Sequence, residues 1–177
     1  MRTDQAFRLA ERIPADFGEV IRTRRSVRHY DPNFVLSREE IKSLLADTVL
    51  APSSNNLQPW RFLVIDQQED KEKLYPIAYN QRQVLEASAT IAVLGDIEGY
   101  KRVDEITRIA VERGYMTEEF AAQQRERVAS SYGSMSREAL KQIALIDGSL
   151  ASMQLMLAAR ARGLDTVPMG GFDHGQF

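Results

Sequence analysis

The chain has 177 residues, of which 44% are hydrophobic and 27% charged, which suits one globular domain of roughly 100–200 residues and excludes a disordered or collagen-like chain. Lysine and arginine total 23 against 25 aspartates and glutamates, so no global positive field favours a nucleic acid or an anionic membrane. The chain has no cysteine, which excludes disulfide scaffolds, thiolate metal sites and cysteine nucleophiles.

No repeat, low-complexity block or linker divides the sequence, so we expect a single domain over residues 1–177, with residues 1–15 as an N-terminal lead-in. The longest apolar run, Leu155 to Ala159, is far shorter than the roughly 20 residues that cross a membrane. We therefore expect a cytoplasmic protein with no membrane or nucleic-acid partner.

The first half of the chain predicts two helices and a strand. Asp16 can cap a short helix over residues 17–24. Ser37 and Glu40 form a capping box before a second helix, which must end before Pro52. Residues 60–65 are aromatic and β-branched, which predicts a strand that enters the core.

The middle of the chain predicts short helices over residues 69–79 and 81–87, on either side of Asn80. Residues 89–94 are almost wholly apolar, which predicts a strand in the centre of its sheet. A helix over residues 97–113 should end at Gly114, and Thr117 can cap another that runs to about Ser130.

The last predicted helix is the longest, beginning after Ser136 and running to Arg162 with Gly163 as its stop. Its many small side chains would allow close approach of another helix, either within the chain or across a dimer. Residues 164–167 should form a third strand that Pro168 breaks.

Motifs for familiar protein-based chemistry are missing from the sequence. It contains no Gly-x-Ser-x-Gly elbow, Walker loop, Gly-x-Gly-x-x-Gly fingerprint or His-Glu-x-x-His helix. With two histidines and no cysteine, a metal site would need a dense carboxylate cluster, and none is visible. We therefore expect no metal and no catalytic side chain, but chemistry that belongs to a bound organic cofactor.

Four short segments could build a cofactor site, one of them Asn80 alone. Arg24, Arg25, Ser26 and Arg28 offer guanidinium forks and a hydroxyl that suit a phosphate. Composition alone instead favours a solvated basic helix end, where arginine complements the helix dipole. The other two segments are a polar loop after Pro52 and a glycine-containing turn after Val167.

The polar loop offers amides and hydroxyls for the edge of a heterocycle, although an ordinary turn explains its composition equally well. In the last segment, glycines would let backbone N–H groups approach a flat ligand, and a plain turn is the alternative. Asn80 by itself is typical of a helix cap. The loop contributes Pro52, Ser53, Ser54, Asn55, Asn56 and Gln58, and the last segment Pro168, Met169, Gly170 and Gly171.

In this order and spacing, the motifs closely resemble those of the flavin-dependent nitroreductase family, over about residues 17–175. The most specific stretches are residues 24–28, 52–60 and 163–172. The resemblance implies an α+β fold, with a mostly antiparallel central sheet flanked by helices and a long central helix. It also implies a homodimer with FMN at the interface, and NADH or NADPH as co-substrate.

Site roles follow from the same resemblance. Positions 24–26 match the phosphate and ribityl contacts, and Arg28 matches a basic position beside the pyrimidine end of the flavin. Asn80 matches a residue that bonds this polar edge, with Gln83 nearby. Residues 168–171 match the segment that covers one ring face, and residues 53–58 match the strip that the partner subunit contributes.

The implied reaction is ping-pong reduction of a small electron-poor aromatic, such as a nitro compound or quinone, by NAD(P)H. Two departures from the family pattern stand out. The chain ends at Phe177, where relatives continue into a strand and a basic tail, and position 83 is glutamine where some relatives have lysine. Two alternatives therefore stay open: a same-fold flavoprotein of dehalogenase or flavin-fragmenting type, and a truncated, non-catalytic flavin-binding protein.

Overall fold

The structure is a computed structural model, and it describes residues 16–177. The predicted lead-in at residues 1–15 lies outside the described residues. The described chain forms seven α-helices and two β-strands, with short 3₁₀ turns at Ser54–Asn56 and Gly99–Arg102. In chain order these are α1 (Phe17–Thr23), α2 (Arg38–Thr48), β1 (Trp60–Ile65), α3 (Gln68–Ile77), α4 (Gln83–Glu86), β2 (Thr90–Gly95), α5 (Val103–Glu112), α6 (Glu118–Gly133) and α7 (Arg137–Ala161).

The predicted helix starts are confirmed by their caps. The Asp16 carboxylate accepts the Glu19 N–H at 2.8 Å at the start of α1. The Glu40 carboxylate accepts the Ser37 N–H at 2.7 Å, and the Ser37 hydroxyl accepts the Glu40 N–H at 3.2 Å, which completes the capping box of α2. Thr117 caps α6 through its hydroxyl. Each cap satisfies N–H groups that a helix start leaves without partners.

The predicted glycine stops are also confirmed. Gly114 follows α5 with φ 73°, and Gly163 follows α7 with φ 74°, both in the left-handed region that glycine tolerates best. After each glycine, the next N–H bonds a carbonyl five residues back, from Tyr115 to Ala110 at 2.8 Å and from Leu164 to Ala159 at 3.0 Å. These bonds close the last turn of each helix.

Several helix bounds differ from the predicted ones. The helix expected over residues 69–79 ends at Ile77, because Tyr79 and Asn80 adopt left-handed conformations with φ 53° and 56°. The helix expected over residues 81–87 shortens to α4. A 3₁₀ turn occupies the start of the helix expected from residue 97, so α5 begins at Val103. In contrast, α6 runs three residues past Ser130.

The two strands form an antiparallel pair. The Asp96 N–H, just after β2, donates to the Pro59 carbonyl, just before β1, at 2.6 Å. The first strand has the predicted bounds. The prediction that β2 is central was wrong, because the described sheet has two strands and all residues of β2 are half-buried or exposed. An apolar run does not show how many neighbours a strand has.

The predicted third strand over residues 164–167 was also wrong. It is reduced to one parallel bridge between Ser26 and Thr166, beside a 3.1 Å bond from the Val27 N–H to the Thr166 carbonyl. The following Pro168 has no N–H, so the ladder cannot continue through it.

The chain divides into two compact units. The first unit comprises residues 16–48, 63–92 and 153–177 of the described chain, and Leu74, Ala78 and Val84 form its buried apolar cluster. The second unit comprises residues 49–62 and 93–152. This unit has two buried apolar clusters. One contains Leu57, Val103, Val128 and Tyr132, and the other contains Ala51, Trp60 and Ala151. These helices and the antiparallel strand pair confirm the predicted α+β class.

The long helix α7 has 25 residues and contributes to both units. Ala144, Asp147 and Ala151 are buried on one side, whereas Leu145 and Ile146 are about 60% exposed. Within the described chain, α7 is the one helix long and apolar enough to cross a membrane by length and composition, with a mean hydropathy of 1.3 over its most apolar stretch. A single chain therefore buries only part of the apolar surface of α7.

Candidate functional site

Three of the predicted site segments meet within the first unit. The bridge between Ser26 and Thr166 joins the arginine segment to the residues just before Pro168. The Gln81 side-chain amide donates to the Gly171 carbonyl at 2.7 Å, which joins the end of α3 to the glycine segment. Residues more than fifty positions apart are therefore held together by hydrogen bonds.

The arginine segment leaves α1 at its C-terminal end. The Arg25 guanidinium donates to the Arg22 carbonyl at 2.7 Å and to the Arg24 carbonyl at 2.8 Å, so this side chain lies over the end of its own helix. Arg24 is half-buried and Arg28 is exposed. Among residues 16–177, no carboxylate pairs with either Arg24 or Arg28, and their charges are available to an anion.

Another arginine, Arg160, supports this segment and was not identified from the sequence. Arg160, in the last turn of α7, donates to the Thr23 hydroxyl at 3.0 Å and to the Asp165 carboxylate at 3.2 Å. The Thr23 hydroxyl in turn donates to the Glu19 carbonyl at 2.7 Å. This chain of bonds orients the end of α1, from which Arg24 projects.

Tyr30 fixes the other end of the segment and was also missed by sequence reasoning. Its hydroxyl donates to the Val27 carbonyl at 2.7 Å. The pKa of Tyr30 is raised to about 12, chiefly by burial and also by the Asp165 carboxylate, while Arg28 opposes the rise. The Tyr30 hydroxyl therefore stays neutral near pH 7 and remains a hydrogen-bond donor.

A carboxylate lies close to the predicted pyrimidine end of the site. Glu86 of α4 accepts the Tyr30 N–H at 3.3 Å and pairs with Arg82 at 3.0 Å. His29 Nδ1 lies 3.8 Å from the same carboxylate. Within the described chain, the ion pairs of Glu86 are with Arg82 and His29, and none is formed with Arg28.

Asn80 and Gln83 occupy different environments. Asn80 is exposed, and its left-handed backbone is closed by a 2.9 Å bond from its N–H to the Tyr75 carbonyl. Gln83 is only 7% exposed, and its amide donates to the Gln81 side chain at 2.9 Å. Asn80 is therefore accessible to a ligand, and the buried Gln83 is placed to support Gln81.

The glycine segment is open on its outer side. Within the described chain, no atom lies within 4 Å of the position that a Cβ on Gly170 would occupy, and its φ is not left-handed. Packing within the chain and backbone conformation therefore do not require glycine at this position. Met169 anchors the segment against the Leu74 cluster, and Pro168, Gly170 and Gly171 are exposed. This combination suits the close approach of a planar group to the backbone.

The fourth predicted segment belongs to the second unit. In the loop 52–58, Pro52, Asn55 and Asn56 are exposed, and Ser53, Ser54 and Gln58 are half-buried. Leu57 anchors the loop in the core at 2% exposure. The Ser53 hydroxyl accepts the Gln58 N–H at 3.0 Å, and the Gln58 amide donates to the Asn56 side chain at 3.1 Å. The loop is thus ordered and presents amide groups to solvent.

No group of three or more histidine, aspartate or glutamate residues in the described chain is arranged to hold a metal ion. The candidate site consists instead of guanidinium groups, amides, a hydroxyl and exposed backbone. Such groups can bind a phosphate and orient a heterocycle, and chemistry at the site then depends on the bound group.

Comparisons with known proteins agree with this chemistry. A sequence model of the nitroreductase family matches residues 21–177. YdgI of Bacillus subtilis, named as a candidate NAD(P)H nitroreductase, is 48% identical over 159 residues, which cover 89% of this chain and 76% of that protein. A protein of Lactiplantibacillus plantarum named as the CLA biosynthesis enone reductase is 35% identical over 160 residues, which cover 89% of this chain and 74% of that protein.

Among solved structures, a candidate nitroreductase from Exiguobacterium sibiricum in complex with FMN superposes with a TM-score of 0.90 at 46% identity, covering 93% of this chain and 79% of that chain. A candidate NAD(P)H:FMN oxidoreductase from Staphylococcus epidermidis gives a TM-score of 0.88 at 41% identity, over 92% and 77%. The sequence matches, the shared fold and the meeting of the three segments lead to one conclusion: the chain belongs to the nitroreductase family.

Proposed function

We propose that the chain is an FMN-dependent oxidoreductase that uses NADH or NADPH to reduce nitroaromatics, quinones or similar electron-poor acceptors by a ping-pong reaction. The observation that carries this proposal is the meeting of residues 24–28, 80–83 and 168–171 within one compact unit. The likeness to an FMN-bound structure with a TM-score of 0.90 supports it. Bound FMN supplies the hydride chemistry, receiving a hydride from the nicotinamide and giving it to the acceptor.

The residues of the first unit divide the binding task. Arg24, Arg25 and Ser26 hold the phosphate end, where fork-shaped guanidinium groups bond two oxygens at once. Asn80 bonds the polar edge of the ring system. Gln83 bonds the Gln81 side chain, which in turn bonds the Gly171 carbonyl of the glycine segment. Gly170 and Gly171 let the backbone lie against one ring face.

Arg28 has an electrostatic role. Reduction by a hydride adds negative charge at the pyrimidine end of a flavin, so a fixed cation there stabilises the reduced form more than the oxidised form. Arg28 is exposed and has no carboxylate partner among residues 16–177, so its charge is not neutralised within the described chain. The role needs no proton transfer by a side chain and no protein nucleophile.

The site is completed by a second copy of the chain in a homodimer. Leu145, Ile146 and Leu150 expose an apolar face of α7, and burial of such a face favours association. In this proposal, residues 53–58 of the partner subunit supply amides and hydroxyls to the flavin. The cytoplasmic location and the lack of nucleic-acid and membrane partners stay predictions.

The acceptor belongs to a chemical class rather than to one compound. A relative named as an enone reductase, 35% identical, supports acceptors whose reacting atoms are conjugated to an electron-withdrawing group. Nitroaromatics and quinones share this property with enones. The same open ring face serves the nicotinamide and the acceptor in turn, which is why the reaction is ping-pong.

The two half-reactions test this function. Under anaerobic conditions, one equivalent of NADPH or NADH should bleach the visible absorption of the FMN-loaded protein, and a quinone or nitroaromatic should restore it. A colourless preparation that neither binds added FMN nor oxidises NADH or NADPH contradicts the proposal. Bleaching that no acceptor of this class reverses would favour the same-fold flavoprotein with a different reaction.

A further inference from the structure

Asp147 is a buried carboxylate in the middle of α7, at 1% exposure. The interior is a costly place for a carboxylate unless hydrogen bonds compensate for the lost water. No cation among residues 16–177 pairs with it. Its partner is Ser54, whose N–H donates to the two oxygens at 3.0 and 3.2 Å and whose hydroxyl donates to Oδ1 at 3.0 Å.

Ser54 begins a loop with an unusual backbone. Asn55, Asn56 and Gln58 have φ values of 51°, 54° and 48°, in the left-handed region that residues other than glycine seldom adopt. Such a conformation persists only where its surroundings over-determine it. Three strained residues within four positions therefore require specific restraints.

Those restraints come from two helices of the second unit. From α6, Gln124 donates to the Asn55 carbonyl at 3.1 Å, and the Tyr132 hydroxyl accepts the Asn55 side-chain amide at 3.1 Å. From α7, Asp147 holds Ser54 by its backbone and side chain together. Buried polar groups of α6 and α7 thus form hydrogen bonds to the inner side of the loop, while Asn55 and Asn56 stay exposed.

We propose that Asp147 is a positioning residue for cofactor binding: it holds the Ser53–Gln58 loop, through Ser54, in the conformation that leaves Asn55 and Asn56 exposed for contact with the flavin. The inference rests on the proposed FMN function and adds to it a residue outside the cofactor contacts. A carboxylate suits this role because both of its oxygens accept hydrogen bonds. An asparagine would turn a donor toward the Ser54 N–H, where two donors would face each other.

A purely structural role for Asp147 would give a different result, and a matched control separates the two. Thr107 is fully buried in α5 of the same unit, and its hydroxyl donates to the Val103 carbonyl at 2.8 Å. Thr107→Val removes a buried polar group without altering a bond to the loop. Any change that reflects general loss of stability should therefore appear in Thr107→Val as well as in Asp147→Asn.

The experiment compares Asp147→Asn, Ser54→Ala, the double variant and Thr107→Val with the wild type, well below their melting temperatures. FMN affinity is measured by quenching of flavin fluorescence, and hydrogen exchange of the amides in residues 53–58 is measured without FMN. We expect Asp147→Asn to weaken FMN binding by about tenfold, because the amide replaces one of the two accepting oxygens near the Ser54 N–H with a donor. Exchange in the loop should quicken, and Thr107→Val should change both readouts by less than about twofold.

The double variant tests whether Asp147 acts through Ser54. Ser54→Ala removes the hydroxyl bond to Asp147 and keeps the two backbone N–H bonds, so its loss should be part of the Asp147→Asn loss, and the double variant should bind FMN within about twofold of Asp147→Asn. If the losses of FMN affinity in the two single variants add fully in the double variant, Asp147 does not act through Ser54. If Asp147→Asn does not fold, the exchange rate of residues 53–58 in Ser54→Ala, measured without FMN, decides the question, because it reports the loop itself and not a flavin contact.

Wild-type affinity and wild-type exchange in Asp147→Asn overturn the inference while leaving the proposed function intact. Equal losses in Asp147→Asn and Thr107→Val also overturn it, because they indicate a structural effect alone. Wild-type protein that binds no FMN contradicts the proposed function instead, and the exchange comparison then decides by itself whether Asp147 holds the loop.

Discussion

Arg24→Ala is expected to weaken FMN binding by about 10- to 100-fold, because a charge-assisted hydrogen bond to a phosphate is lost. Arg24 is the better target than Arg25, whose guanidinium already bonds the carbonyls at the end of α1. Riboflavin has the same ring system as FMN but no phosphate. Its affinity should therefore change by less than about twofold, since only the phosphate contact is removed. Fluorescence titration with both flavins measures the two affinities on the same preparation.

The matched control for this prediction is Arg38→Ala. Arg38 is an exposed arginine of the first unit whose guanidinium bonds the half-buried Asp66 at 3.2 Å and none of residues 24–28. Arg38→Ala should leave the preference for FMN over riboflavin unchanged. If Arg24→Ala weakens both flavins equally, Arg24 acts on the fold or the ring rather than on the phosphate, and the assigned role fails.

Arg28→Ala is expected to lower the midpoint potential of the bound flavin by about 30 mV, the two-electron equivalent of a tenfold change in an equilibrium constant. The physical reason is that the reduced, more negative flavin loses a stabilising cation. Hydride transfer from NAD(P)H should slow in the same variant, because its driving force falls. Potentials are measured by equilibration with reference dyes, and rates by stopped-flow bleaching of the flavin.

Arg28→Lys distinguishes the effect of the positive charge from that of the planar guanidinium group. Lysine keeps the positive charge but loses the planar fork, so most of the potential should return if the role is electrostatic. An unchanged potential in Arg28→Ala, with FMN still bound, removes Arg28 from this role. A potential that falls equally in both variants would indicate that geometry, rather than charge, matters at this position.

Local sequence patterns predicted the helices well because their signals lie within a few residues. The caps at Asp16, Ser37 and Thr117 and the stops at Gly114 and Gly163 are such signals, and each is present in the structure. Strand neighbours are set by distant residues. The apolar run of β2 and the β-branched residues near Thr166 therefore predicted more sheet than forms in the described chain.

The same difference between local signals and distant contacts applies to the candidate site. Family motifs identified the segments around Arg24, Asn80 and Gly170, and the structure brings these together in the first unit. The residues that hold them were not predictable. Arg160 bonds Thr23 across 137 positions, and Asp147 bonds Ser54 across 93. A lone charged residue in a long helix is usually part of a solvated face, so only tertiary contacts could identify either of these two.

In the homodimer that we propose, each flavin site is shared between two copies of the chain. Size-exclusion chromatography with light scattering and flavin absorbance tests it most directly, because it reports mass and bound FMN on the same peak. We expect a dimer that carries one FMN per chain. A monomer that still holds FMN at this ratio would contradict the claim, because one chain alone would then be enough to hold the cofactor.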